Sequence, residues 1–141
     1  MGSFTNVLLG DWTYRSFNNN PDESATFDSL EFGAGTIRVD ASEINEFKGL
    51  IFGPGWSLNL KGSSNWGNPF EVRFQGTGTV GGAPWVYDYV GYAIRPWPNG
   101  VNQRMAMVGS IVRTIPHPDG AGGTAPAGVV ASWIAVKQDP K

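Results

Sequence analysis

The chain has 141 residues, a formal net charge of −2, no cysteine and a single histidine. These numbers exclude disulfides, thiolate catalysis and a multi-histidine metal site within one chain. The scattered Lys and Arg form no basic run to hold a nucleic acid. No apolar run reaches the roughly 20 residues of a membrane helix, and Met1-Gly2-Ser3-Phe4 lacks a charged-then-apolar leader, so a cytoplasmic location is expected.

Gly and Pro number 20 and 10 and interrupt the sequence at short intervals. With 6 Trp, 8 Phe and 4 Tyr, the chain is rich in residues that favour strands. In chain order the predicted strands are Leu8–Phe17, Gly35–Asp40, Glu46–Phe52, Trp56–Gly62, Phe70–Thr79, Trp85–Trp97, Val101–Ile115 and Gly128–Lys137. Asn18–Ser29 is the least strand-like stretch and has room for a short helical turn. The connections are Pro54-Gly55, Gly62 to Pro69, Gly81-Gly82, Asn99-Gly100 and a long loop from Pro116 to Pro126. Eight strands in simple succession predict one all-β domain over residues 1–141, an antiparallel up-and-down barrel wide enough for a small ligand. A two-sheet sandwich is the alternative.

Alternation assigns the faces. Phe70, Val72 and Phe74 point inward against Glu71, Arg73 and Gln75, as do Trp56, Leu58 and Leu60 against Ser57, Asn59 and Lys61. A two-residue turn at Gly81-Gly82 sets Val80 opposite Ala83, Phe74 opposite Tyr89 and Gly76 opposite Tyr87. It places Trp85, Tyr87, Tyr89, Gly91, Ala93 and Arg95 inside, and Asp88 outside opposite Gln75. A second two-residue turn at Asn99-Gly100 sets Arg104 opposite Arg95 and Ser110 opposite Tyr89, and turns Asn102, Arg104, Ala106, Val108 and Ser110 into the lumen. A bulge in either hairpin reverses these assignments. On this register Val86, Val90, Tyr92, Ile94, Met105, Met107 and Ile111 form an outer face too apolar for open water, which predicts cover by a second barrel in a homo-oligomer or else by a loop of the same chain.

Gly10-Asp11-Trp12 resembles the Gly-x-Trp of the lipocalin and avidin barrels, in which the Trp plugs one end. The resemblance implies a basic cover from the last strand, for which Lys137 is the candidate, and a site that includes Trp12, Tyr14 and Ser16. Size and strand count are similar to those of the oligomeric, cofactor-free allene oxide cyclase barrels. Tyr87-Asp88-Tyr89, Trp97-Pro98-Asn99-Gly100-Val101-Asn102-Gln103 and Ala125-Pro126-Ala127-Gly128 look like a family of small, uncharacterised bacterial proteins, which implies a fold and no activity.

Trp12, Tyr14, Trp56, Phe74, Trp85, Tyr87 and Tyr89 would surround one lumen, either as a filled core or as the wall of a cavity for a planar or lipid-like molecule. The small residues Gly49, Gly76, Gly91, Ala93 and Ser110 leave room for the second. Arg95 and Arg104, facing each other, would hold a ligand carboxylate, with Asn102 adding a hydrogen bond, or extend past the rim into water. Asp88, among apolar residues, reads either as a buried base or, on the outer face that the register gives it, as half of a structural ion pair with Arg73 or Arg113. His117, in a loop at the end away from Trp12, is either solvated or an acid–base group with Asp119. Ser110 completes a nominal triad with them, without nucleophile-elbow spacing. Asn18 to Glu23 reads as a polar lip and lacks the ligand spacing of a calcium loop.

The sequence thus predicts an oligomeric barrel around a small apolar or amphipathic organic molecule, with or without an anionic group. No cofactor, metal, nucleic acid or membrane is implied. The alternatives are a cofactor-free isomerase or cyclase working in the lumen, and a structural protein with a filled barrel.

Overall fold

The computed structural model describes residues 7–43, 45–65, 67, 69–94 and 96–138. The strands are β1 (Gly10–Asn18), β2 (Glu31–Val39), β3 (Glu46–Gly53), β4 (Trp56–Asn65), β5 (Phe70–Val80), β6 (Ala83–Ile94), β7 (Ala106–Arg113), β8 (His117–Pro118), β9 (Thr124–Ala125) and β10 (Val130–Lys137). One helical turn, α1 (Phe27–Leu30), follows β1, with Thr26 as its N-cap. A closed antiparallel barrel runs β1-β10-β7-β6-β5-β4-β3-β2, while β8 and β9 form a separate hairpin. The expected eight-stranded barrel is therefore present, and the sandwich is not. No described helix is long and apolar enough to cross a membrane.

The Gly81-Gly82 turn fixes the β5–β6 register as predicted. Both glycines have positive φ, 58° and 82°, the conformation a tight hairpin requires and a side chain resists. Phe74 faces Tyr89, Gly76 faces Tyr87 and Gln75 faces Asp88.

The β6–β7 register corrects the sequence reading. Ile94 pairs with Ala106, Val90 with Ser110 and Tyr87 with Arg113. The turn is centred on Pro98-Asn99, closed by Gly100 N–H donating to Trp97 O at 3.1 Å; proline suits the second position of such a turn. Gln103 reaches back to Trp97 N and O. Two prolines, Pro96 and Pro98, cannot donate to a ladder, so the strands part early and meet again one residue out of the predicted step. Because side chains alternate, that step reverses β7. Met107 and Ile111 are buried inside rather than on the outer face, and Ser110 is exposed rather than in the lumen. Asn102 and Arg104 lie exposed in the connection, where the Arg104 Nε donates to Lys137 O at 3.1 Å. Arg95 is outside the described residues.

A bulge re-aims one residue of β2. Ser16 pairs with Gly33 but Phe17 with Glu31, so Phe32 is the extra residue. A bulge leaves two successive side chains on one side, and Phe32 turns inward beside Gly33.

Candidate functional site

The barrel is filled at one end and hollow at the other. At the filled end Trp12 is fully buried, and its indole N–H donates to Leu8 O at 2.9 Å. The Lys137 ammonium lies 5.1 Å from the Trp12 ring centroid. It donates to Val7 O at 2.9 Å and to Leu9 O. Burial lowers its pKa, and the carbonyls and the ring face of Trp12 offset that cost. Above the plug, Phe47 stacks on Phe74 at 4.5 Å and Phe74 on Tyr89 at 4.6 Å. Trp133 closes the layer edge-on, 5.6 Å from Phe74 and 5.9 Å from Tyr89. It takes the space over Gly91, which the sequence left open: a methyl there would stand 2.8 Å from the Trp133 ring. Trp12 and Phe74 are therefore core, below the hollow.

The hollow half is a half-open cavity of about 260 Å³. Its walls are Tyr14, Phe32, Ile51, Trp56, Leu58, Val80, Trp85, Tyr87, Tyr89 and Ile111. The Tyr14 hydroxyl donates to Ser16 Oγ at 2.8 Å, and Ser16 donates on to Gly33 O at 3.4 Å. Burial pushes the Tyr14 pKa up to about 12 and that of Tyr89 well above its ordinary value. Both phenols thus stay neutral near pH 7 and offer a ligand hydrogen bonds rather than charge. Of the predicted site residues, Tyr14, Trp56, Trp85, Tyr87 and Tyr89 line this space, and Ser16 supports it from behind.

The loop after β7 folds over the mouth. Asp119 accepts from Ala121 N at 2.8 Å and Gly123 N at 3.0 Å, which closes the β8–β9 hairpin and pairs His117 with Ala125. His117 is buried, not solvated. Its ring lies flat on Trp85, 3.8 Å between centroids and 7° between planes. Its Nε2 is 2.7 Å from the Tyr87 hydroxyl, and its Nδ1 is 2.8 Å from Pro118 O. A carbonyl only accepts, so Nδ1 carries a proton, and in the neutral ring Nε2 then accepts from Tyr87. The Tyr87 oxygen in turn accepts from Arg113 Nε at 3.0 Å. One chain of donors therefore runs Arg113 to Tyr87 to His117 to Pro118. Arg113, the last inward residue of β7, spreads its guanidinium over Phe32, 5.0 Å from the ring centroid.

The chain matches no family model, no curated protein and no solved structure.

Several predicted contacts are not made. Ser110 points outward, away from His117 and Asp119, so no triad forms. Asn102 and Arg104 sit at the Trp12 end, far from the mouth, on the wrong side of the filled core. Asp88 accepts from Gln75 at 2.8 Å and from Thr114 at 2.8 Å, in place of the expected ion pair. Among the described residues no group of three or more His, Cys, Asp or Glu could hold a metal ion. Phe32 and Arg113 were missed at the wall and mouth, and the stacking of His117 on Trp85 was not foreseen. Arg113 could have been found from the β7 alternation once its phase was known; Phe32 needed the bulge.

Proposed function

We propose that the barrel binds a small, mostly apolar organic molecule in its hollow half. The observation that carries this is the asymmetry of the lumen. Trp12, Phe47, Phe74 and Trp133 are buried in one half, yet a cavity of about 260 Å³ persists in the other, walled by rings and open at one end. Cavities of this kind, apolar with a few placed hydroxyls, suit small ligands. The Trp12 plug under Lys137 supports a calycin-like barrel, in which the far end is the mouth. A second copy of the chain, covering the apolar wall of β6, β7 and β10, belongs to the same proposal.

The test uses nitrobenzene, a neutral quencher of suitable size, with quenching of Trp56 and Trp85 as the signal. Saturable quenching at one probe per chain is expected. Val80→Trp, at the cavity rim, should weaken it about tenfold or more, since a filled pocket has no room to bury the probe. Absence of saturable binding to the wild-type protein, or equal binding to the variant, would defeat the proposal.

A cofactor-free isomerase or cyclase is the second reading. The Arg113–Tyr87–His117 chain favours it, because a phenol held between a cation and an imidazole is placed to move a proton. Chemical change of a bound probe, abolished by Tyr87→Phe, distinguishes it from simple binding.

A further inference from the structure

We infer that the ligand is a carboxylate, its apolar body in the cavity and its charged end on Arg113. This rests on the binding reading above and names the ligand class. Arg113 is half-buried on the inner face, at the mouth end of β7. A guanidinium drawn partly out of water gains from an anion that its free N–H groups can reach. Among the described residues the one ion pair is Asp11–Arg38, and no carboxylate pairs with Arg113. Two of its donors are engaged, Nε with Tyr87 and Nη1 with Pro126 O at 3.2 Å. Of the five N–H groups of a guanidinium, three are then left for a ligand, in the fork that fits a carboxylate.

The surroundings hold the charge ready. Phe32 and Tyr87 lie under the guanidinium, at 5.0 and 5.8 Å from its central carbon, and both also line the cavity. A ligand lying against those rings therefore ends beside Arg113. The volume sets the size of its body: at the ~30 Å³ that a water occupies, about 260 Å³ admits roughly nine non-hydrogen atoms. An aryl group with a short chain fits. A long fatty chain does not.

The experiment compares 3-phenylpropanoate with 3-phenylpropan-1-ol, which share ring and chain and differ in charge, by calorimetry at pH 7. The acid should bind about tenfold or more tightly than the alcohol, as expected for hydrogen bonds to a charged group. Added salt should narrow the gap. Arg113→Gln should lower the affinity for the acid at least as much, and for the alcohol far less. Equal affinities in the wild-type protein, or a preference for the acid that survives Arg113→Gln, would overturn the inference while leaving the cavity reading intact. Failure of both probes to bind the wild-type protein would overturn both. If the variant loses both probes, the wild-type comparison and its salt dependence decide alone.

Discussion

The Tyr14 hydroxyl sits inside the barrel with Ser16 as its acceptor and the Tyr89 ring edge-on at 6.2 Å. Burial is the main reason its pKa rises from 10.0 to about 12, and it acts on Tyr89 in the same direction. An acid whose pKa is higher folded than unfolded holds its proton longer in the native state. Its contribution to stability is whole below pH 10 and is lost as pH climbs from there through the folded value. Ionising Tyr14 means placing a phenolate against rings, so the gap is worth roughly 2–3 kcal/mol. The barrel should therefore lose stability steeply between pH 10 and 12. Tyr14→Phe should flatten that fall, at a cost near pH 7 of about 0.5–1.5 kcal/mol for the lost hydrogen bond. Urea denaturation of both proteins across this range measures the two slopes, and parallel curves would show that Tyr14 is not the titrating group.

At the scale of the element, β7 is where the inner wall is decided. Gly109 pairs with Gly91, and a methyl on Gly109 would overlap the Val90 carbonyl oxygen. Trp133 lies against this thin place, its indole N–H donating to Ser110 O at 3.0 Å and Val90 O at 3.3 Å. Gly109→Ala should cost about 1–3 kcal/mol by overpacking. Ser110→Ala, one residue on and exposed, should stay within about 0.5 kcal/mol. Chemical denaturation gives both numbers, and the reverse order would restore the register that puts Ser110 in the lumen. The barrel itself was legible from strand patterning, and β5–β6 was legible to the residue, because a Gly-Gly turn leaves one simple geometry. The β6–β7 connection was not: turn residues at Pro98, Asn99 and Gly100 announce a bend but do not count the residues that leave the ladder on either side. That count has a parity, and the parity decides whether Ser110 or Ile111 faces the lumen. Phe32 was hidden for a related reason, since a bulge breaks the alternation that would reveal it. His117 was placed correctly at the mouth end, but stacking on Trp85 is a contact that spacing along the chain does not encode.

The molecule as a whole has two unlike sides. Outward positions on β1 to β5 include Arg15, Arg38, Lys48, Lys61, Glu71 and Arg73, whereas β6, β7 and β10 carry one outward charge among their described residues, Asp88, satisfied by Gln75 and Thr114. The rest of that wall is apolar or hydroxylic. Tyr92, Val108 and Ile134 form a row across it, with Tyr92 46% and Ile134 38% exposed, and Val90, Ile94 and Val130 add to it. Such a patch leaves water only for a partner that brings no unpaired charge of its own. In the proposed pair a second copy related by a two-fold axis would bring the same face, its one charge, Asp88, already hydrogen-bonded, so the contact would be complementary to itself and close at two chains. The mouth lies at one end of the barrel rather than on this wall, so pairing leaves the ligand path free. The proposed assembly predicts a particle of two chains at micromolar concentration. Tyr92→Lys together with Ile134→Lys should yield a monomer with unchanged far-ultraviolet circular dichroism, because both side chains point away from the core and a paired face cannot bury four added ammonium groups. Sedimentation equilibrium of both proteins measures this. A wild-type chain that sediments as a monomer would leave the wall without the partner proposed for it.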